Sequence, residues 1–163
     1  MSRRIDLIGV PSSAGAHWPG QEKAPRVMRE AGLVERLRAA GMTVIDHGDM
    51  PRSRWHPDRE HRRPHNLAAV VEVARGVADL VEAALQDGET PLVIGGDCTI
   101  ELGVLSGFLR RNVELGLLYF DGGVDLRTPS TTPRVSSTRW ALRTSWASRA
   151  RRRSSPGSGR AFR

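Results

Sequence analysis

Long hydrophobic runs are missing from these 163 residues. No apolar stretch approaches the ~20 residues that a membrane-spanning helix requires, and the N-terminus lacks the apolar core of a signal peptide. A membrane partner is therefore not expected. Cysteine is nearly absent too: Cys98 stands alone, so no internal disulfide can form, and the usage suits a reducing compartment. Cytoplasmic localisation is the expectation. Lysine occurs once, against 24 Arg, and aromatic residues make up only 5% of the chain.

One sign of charge disappears from the end of the chain. Residues 134–163 hold nine Arg and no Lys, Asp or Glu, although the whole chain carries +7. Residues 1–133 therefore keep 16 basic and 18 acidic side chains, a net charge of −2. A basic tail attracts phosphate backbones without selecting a sequence. No heptads, zinc spacing or interleaved aromatic platform adds specificity to it. Nucleic acid is accordingly the weakest of the candidate partners.

What is present is alternation. Ile5–Val10 reads as a strand, stopped by Pro11-Ser12-Ser13-Ala14-Gly15. A loop through Trp18-Pro19-Gly20 leads to Pro25, which suits a first helical turn. Val27, Met28, Leu33, Val34 and Leu37 follow at helical spacing, with Gly32 a candidate break between two helices. Met42–Ile45 is the next strand. The polar stretch 49–65 holds His56, His61 and His65. It is Arg-rich and lacks a compact zinc-type ligand set, so it reads as a solvated loop. Asn66 is placed to cap a long helix whose apolar face runs from Leu67 to Leu85, ended by Asp87-Gly88. Pro91–Ile94 is a buried strand entering Gly95-Gly96-Asp97-Cys98, and a helix bearing Ile100, Leu102, Leu105, Phe108 and Leu109 follows.

The last strand of the series is expected at Leu115–Phe120, a nearly continuous apolar run with Asp121 at its carboxyl end and Asp125 four residues on. In open parallel α/β sheets ligands sit outside the carboxyl ends of the strands. Two carboxylates held there by a glycine turn can grip a divalent cation. They can equally be a strand-end turn former and an ordinary loop acid. The order β-α-β-α-β-α-β predicts a parallel sheet with helices on both faces. Gly95-Gly96 lacks both the dinucleotide fingerprint and the Walker lysine, so no phosphate loop is expected.

The ordered pair of strand-end motifs, GGDC at 95–98 and DGGVD at 121–125 followed by Thr128-Pro129, resembles the arginase family of ureohydrolases, which has GGDH and then DAHxD. The resemblance spans roughly residues 4–133 and implies a three-layer α/β/α sandwich, here incomplete at its C-terminus. It also implies a binuclear Mn²⁺ site and hydrolysis of a C–N bond in a linear amidine or guanidino compound. In that chemistry two cations acidify the hydroxide they share, which attacks the amidine carbon. Asp121 falls where the family has a bridging metal ligand, Asp125 on a second ligand, and Cys98 on the histidine of GGDH. Gly123 falls on the histidine of DAHxD and offers no donor. Arg127 replaces an asparagine that contacts the amino-acid end of the substrate, which argues against arginine itself. The family's downstream aspartate pair lies beyond residue 163, so the expectation is a truncated, inactive chain. The alternative is a non-catalytic relative that binds a ligand or partner, with a homo-oligomer left open.

Residues 1–133 are thus expected to be the arginase-like unit and 134–163 a separate Arg/Ser-rich tail. The tail reads either as a disordered extension or as translation out of frame. Shifted frames of a GC-rich gene yield much Arg, Ser and Pro. With Arg as CGN and Ser as TCN, shifted codons here permit S-G-L-L-D-S-M-G-x-x-H-x-L-G, which resembles the segment following the TxP stretch in some arginase-like proteins.

Overall fold

The computed structural model describes residues 4–58, 66–112 and 115–121. Asp125, Gly123, Arg127, His61, His65 and the whole of 134–163 lie outside the described residues. The elements run β1 (Arg4–Val10), a short 3-10 turn (Gln21–Lys23), α1 (Ala24–Glu30), α2 (Leu33–Ala39), β2 (Thr43–Asp49), α3 (Leu67–Gln86), β3 (Thr90–Gly95) and α4 (Ile100–Arg110).

The three strands pair in parallel in the order β2-β1-β3. Successive residues of β1 face opposite layers, as the period of a strand requires. Ile8 and Val10 pack on one side with Val73, Val77 and Val81 of α3, joined by Ile100, Val104 and Phe108 of α4. Leu7 packs on the other with Val34 of α2, Val44 and Ile94. Helices therefore cover both faces, and the expected three-layer arrangement is present. Pro25 sits in the first turn of α1, and Gly32, at φ 82°, separates α1 from α2. A left-handed residue there costs glycine little and ends the helix.

The helices α3 and α4 touch through glycines. A Cβ on Gly103 would lie 2.6 Å from both the Ala74 carbonyl oxygen and Val77 Cβ, and one on Gly107 would lie 2.7 Å from Val81 Cγ1. The backbone of α4 thus rests directly on α3, and the hydrophobic seam needs no long side chains at those points.

Strand β2 runs four residues past Ile45, through Asp46, His47, Gly48 and Asp49. Hydropathy stops at Ile45, but β2 is an edge strand, and charged residues are suited to an edge. Arg29 of α1 holds this extension: its Nε and Nη2 donate to Asp46 at 2.8 Å each, Nη1 donates to Asp49 and Nη2 to the Gly48 carbonyl.

Two expectations are corrected. Asn66 does precede α3, but its side chain caps nothing; at φ 52° its Nδ2 donates instead to the carbonyls of Ala14 and His56. The larger correction concerns Leu115–Phe120, which forms no strand. Leu118 is 81% exposed and Phe120 88%. A run apolar on both faces is stable as a strand only where helices cover both sides and a neighbour supplies the ladder. Among the described residues α3 and α4 are committed to β1 and β3, and no layer closes over 115–120.

Candidate functional site

In the order β2-β1-β3 the chain leaves β1 toward α1 on one face and leaves β3 toward α4 on the other. That divergence is the switch point of an open α/β sheet, and the crevice outside the ends of β1 and β3 is where such sheets hold ligands. Here the crevice is bordered by Pro11–Ala16 and Gly96–Thr99.

The two loops are laced together closely. The Gly96 N–H donates to the Val10 carbonyl at 3.2 Å and the Asp97 N–H to the Ser12 carbonyl at 3.0 Å. A Cβ on Gly96 would stand 1.6 Å from the Ser12 carbonyl oxygen, so only glycine permits this approach. Asp97, 1% exposed, is the centre of the lacing. Its Oδ2 accepts from Ser12 Oγ at 3.3 Å and from the Gly15 N–H at 3.1 Å. Its Oδ1 accepts from the Thr99 N–H at 3.0 Å and from Thr99 Oγ1. Four donors on one buried carboxylate satisfy it without a counter-charge.

Ser13 ties in a third loop. Its N–H donates to the Ser53 carbonyl at 2.8 Å, and its Oγ accepts from the Trp55 N–H at 2.9 Å. The same hydroxyl reaches Glu22, a buried acid that also accepts from the Gly20 N–H at 2.6 Å. Arg54 Nε lies 3.4 Å from the other Glu22 oxygen. Burial pushes the Glu22 carboxyl up, but the hydrogen bonds from Gly20, Ser13 and its own backbone, with the Arg54 charge, outweigh it and hold the group below its ordinary value. Asp46 is likewise held low, chiefly by the Arg29 guanidinium.

Of the sequence-derived metal candidates, Cys98 is half-buried in the turn between β3 and α4. Asp121 is exposed on the stretch that does not join the sheet, and its Oδ2 accepts from the Tyr119 hydroxyl at 2.7 Å. Among the described residues no three His, Cys, Asp or Glu side chains come together to hold a metal ion. His56 is exposed, and its carbonyl serves Asn66. The described donors therefore do not fit a binuclear metal centre. Ser12, Ser13, Glu22 and Thr99 carry the lacing; in the sequence Ser12 and Ser13 mark only the end of a strand, and Glu22 and Thr99 carry no motif. Only their position straight after strands hints at it.

Parallel strands, opposed helical layers and a glycine-tight turn at the switch point define an open α/β protein whose crevice lies at the carboxyl ends of the sheet. Comparison with known proteins narrows the class: the arginase family's model matches residues 3–151. The arginase of Bacillus caldovelox is 36% identical over 132 residues, covering 79% of this chain and 44% of that one. Human arginase-1 is 35% identical over 131 residues, covering 80% and 41%. The crystal structure of Bacillus cereus arginase superposes with a TM-score of 0.76 at 31% identity, covering 87% of this chain and 47% of that one. The chain belongs to the arginase family. It spans under half the length of each of these three relatives.

Proposed function

We propose that this chain is the N-terminal α/β unit of an arginase-family metal-dependent hydrolase acting on the C–N bond of a linear amidine or guanidino compound, and that by itself it does not turn over such compounds. The metal is Mn²⁺ in this reading, with Asp121, Asp125 and Cys98 as the remaining ligands; when bound, it would supply an acidified water as nucleophile. Two carboxylates hold Mn²⁺ or Mg²⁺ loosely, with waters completing the shell, whereas a Cys98 thiolate is soft and favours zinc. The observation that carries the proposal is the intact switch-point turn outside β1 and β3, with Asp97 fully bonded at its centre.

Residues 1–133 form the folded unit in this reading and 134–163 a tail. The test is urea and ammonia release from a panel of guanidino compounds with added Mn²⁺, run beside a Mn²⁺ titration followed by electron paramagnetic resonance. No product above blank is expected, with the free-ion signal falling only at high protein concentration, as loose binding by two carboxylates requires. Turnover with any substrate of the panel refutes the non-catalytic part. Reads of the gene across codons 130–136 decide separately whether the tail is translated in frame.

A further inference from the structure

A second cleft is built without any residue of the β3–α4 turn. It has a volume of about 350 Å³ and is lined by the 3-10 turn, by α1 and by residues at and after the end of β2, together with Pro11. Pro11 is the only residue it shares with the loops that border the crevice. Its size falls at the lower end of the ~300–1,000 Å³ usual for small-molecule sites. Its lining is strongly charged, with four cations against three acids.

Each of the three acids is already engaged. Glu30 pairs with Arg26 at 2.7 Å, and Asp49 pairs with Arg29. Glu22 accepts from the Gly20 N–H and faces Arg54, a cation from outside the lining. Lys23 and Arg52 are left over, both exposed and neither ion-paired among the described residues. The backbone that carries them is pinned on both elements. Around Arg52, the Met50 N–H donates to the Gly9 carbonyl at 2.9 Å and the Ser53 N–H to the Pro11 carbonyl at 3.0 Å. The Lys23 N–H donates to the Gly20 carbonyl at 3.2 Å, and its neighbour Glu22 is 4% exposed. Two unneutralised charges thus stand on preset backbone in one cleft, which lowers the ordering cost of binding an anion.

We infer that this cleft is a phosphate site, in which Lys23 and Arg52 take a phosphate group, free or carried on a small carbon skeleton. A phosphate group holds about −1.5 to −2 charges at neutral pH, which matches the two surplus cations. Lysine serves it as a point charge, and the arginine fork donates to two of its oxygens. A halide or a monocarboxylate leaves one of the two cations unneutralised. Pro11 and Met50 give the lining an apolar part against which a carbon skeleton can lie. The site is independent of the guanidino reading above and stands or falls without it.

The test is a nuclear magnetic resonance titration of the full ¹⁵N-labelled chain at fixed ionic strength with inorganic phosphate, glycerol phosphate, acetate and chloride. Residue-resolved amide shifts separate the cleft from the nine Arg of 134–163, which attract any anion. Expected are saturable shifts at Lys23, Arg52 and Ser53 with both phosphates, and binding about tenfold weaker with acetate and chloride. Lys23→Gln and Arg52→Gln each weaken phosphate binding about three- to tenfold. Arg36→Gln, on α2 and outside the lining, leaves it unchanged. Unshifted amides of Val77 and Val81 show that each variant is folded. Tighter binding of glycerol phosphate assigns the cleft to a phosphorylated small molecule and equal binding to free phosphate; either supports the site. Shifts confined to 134–163, chloride as effective as phosphate, or an equal loss in Arg36→Gln overturns it.

Discussion

At the scale of single residues, the strongest constraint is the approach of Gly96 to the Ser12 carbonyl. Gly96→Ala places a methyl 1.6 Å from that oxygen and is expected to cost about 3 kcal/mol or more, read as a fall in the urea midpoint. Asp97→Asn keeps the shape but turns an acceptor into a donor facing the N–H of Gly15 or Thr99. A loss of about 2–3 kcal/mol follows, because a buried donor is left unpaired. Glu22 gives a pH signature. Its folded carboxyl is held low, so its contribution is complete above the unfolded value and is lost as pH falls through the folded one, below about pH 4. Glu22→Gln is expected to flatten the decline of stability across that acid range, measured by urea unfolding at successive pH values. None of these roles was legible in the sequence. Ser12 and Ser13 look like ordinary turn formers after a strand, but Ser12 bonds Asp97, 85 residues away, and Ser13 bonds Ser53 and Trp55, which local pattern does not register.

At the scale of elements, punctuation was legible and docking was not. Pro25, Gly32 and Gly88 marked helix boundaries because proline and left-handed glycine act within a single turn. Leu115–Phe120 has the composition of a buried strand, but composition does not disclose whether a layer exists to bury it. Replacing Leu118 and Phe120 together by Asp is accordingly expected to change unfolding free energy by no more than about 0.5 kcal/mol and to reduce self-association in sedimentation. A large loss of stability would show that the segment is docked in solution. The extension of β2 offers a complementary test. Arg29→Lys keeps the charge but loses the fork that joins Asp46, Asp49 and Gly48. A cost of about 1–2 kcal/mol is expected in thermal or chemical unfolding.

At the scale of the whole molecule, charge is divided unevenly. The first 133 residues are mildly acidic, and the nine Arg of 134–163 carry the basic excess. The family and the three-layer fold were legible from two ordered motifs: GGDC sits where the backbone turns tightly after β3, and DGGVD lies, after Asp121, outside the described residues. The metal centre was less legible: Asp121 and Cys98 match in kind or place, but the described residues do not gather them into a cation site. The seam between α3 and α4 carries a further consequence. With Gly103 and Gly107 set against Ala74, Val77 and Val81, solvent has no path between the two helices short of their separating as a unit. Deuterium uptake should therefore be slowest at the amides around Val77 and Val81, and those two helices should relinquish their protons together, after the loops over the sheet have already exchanged.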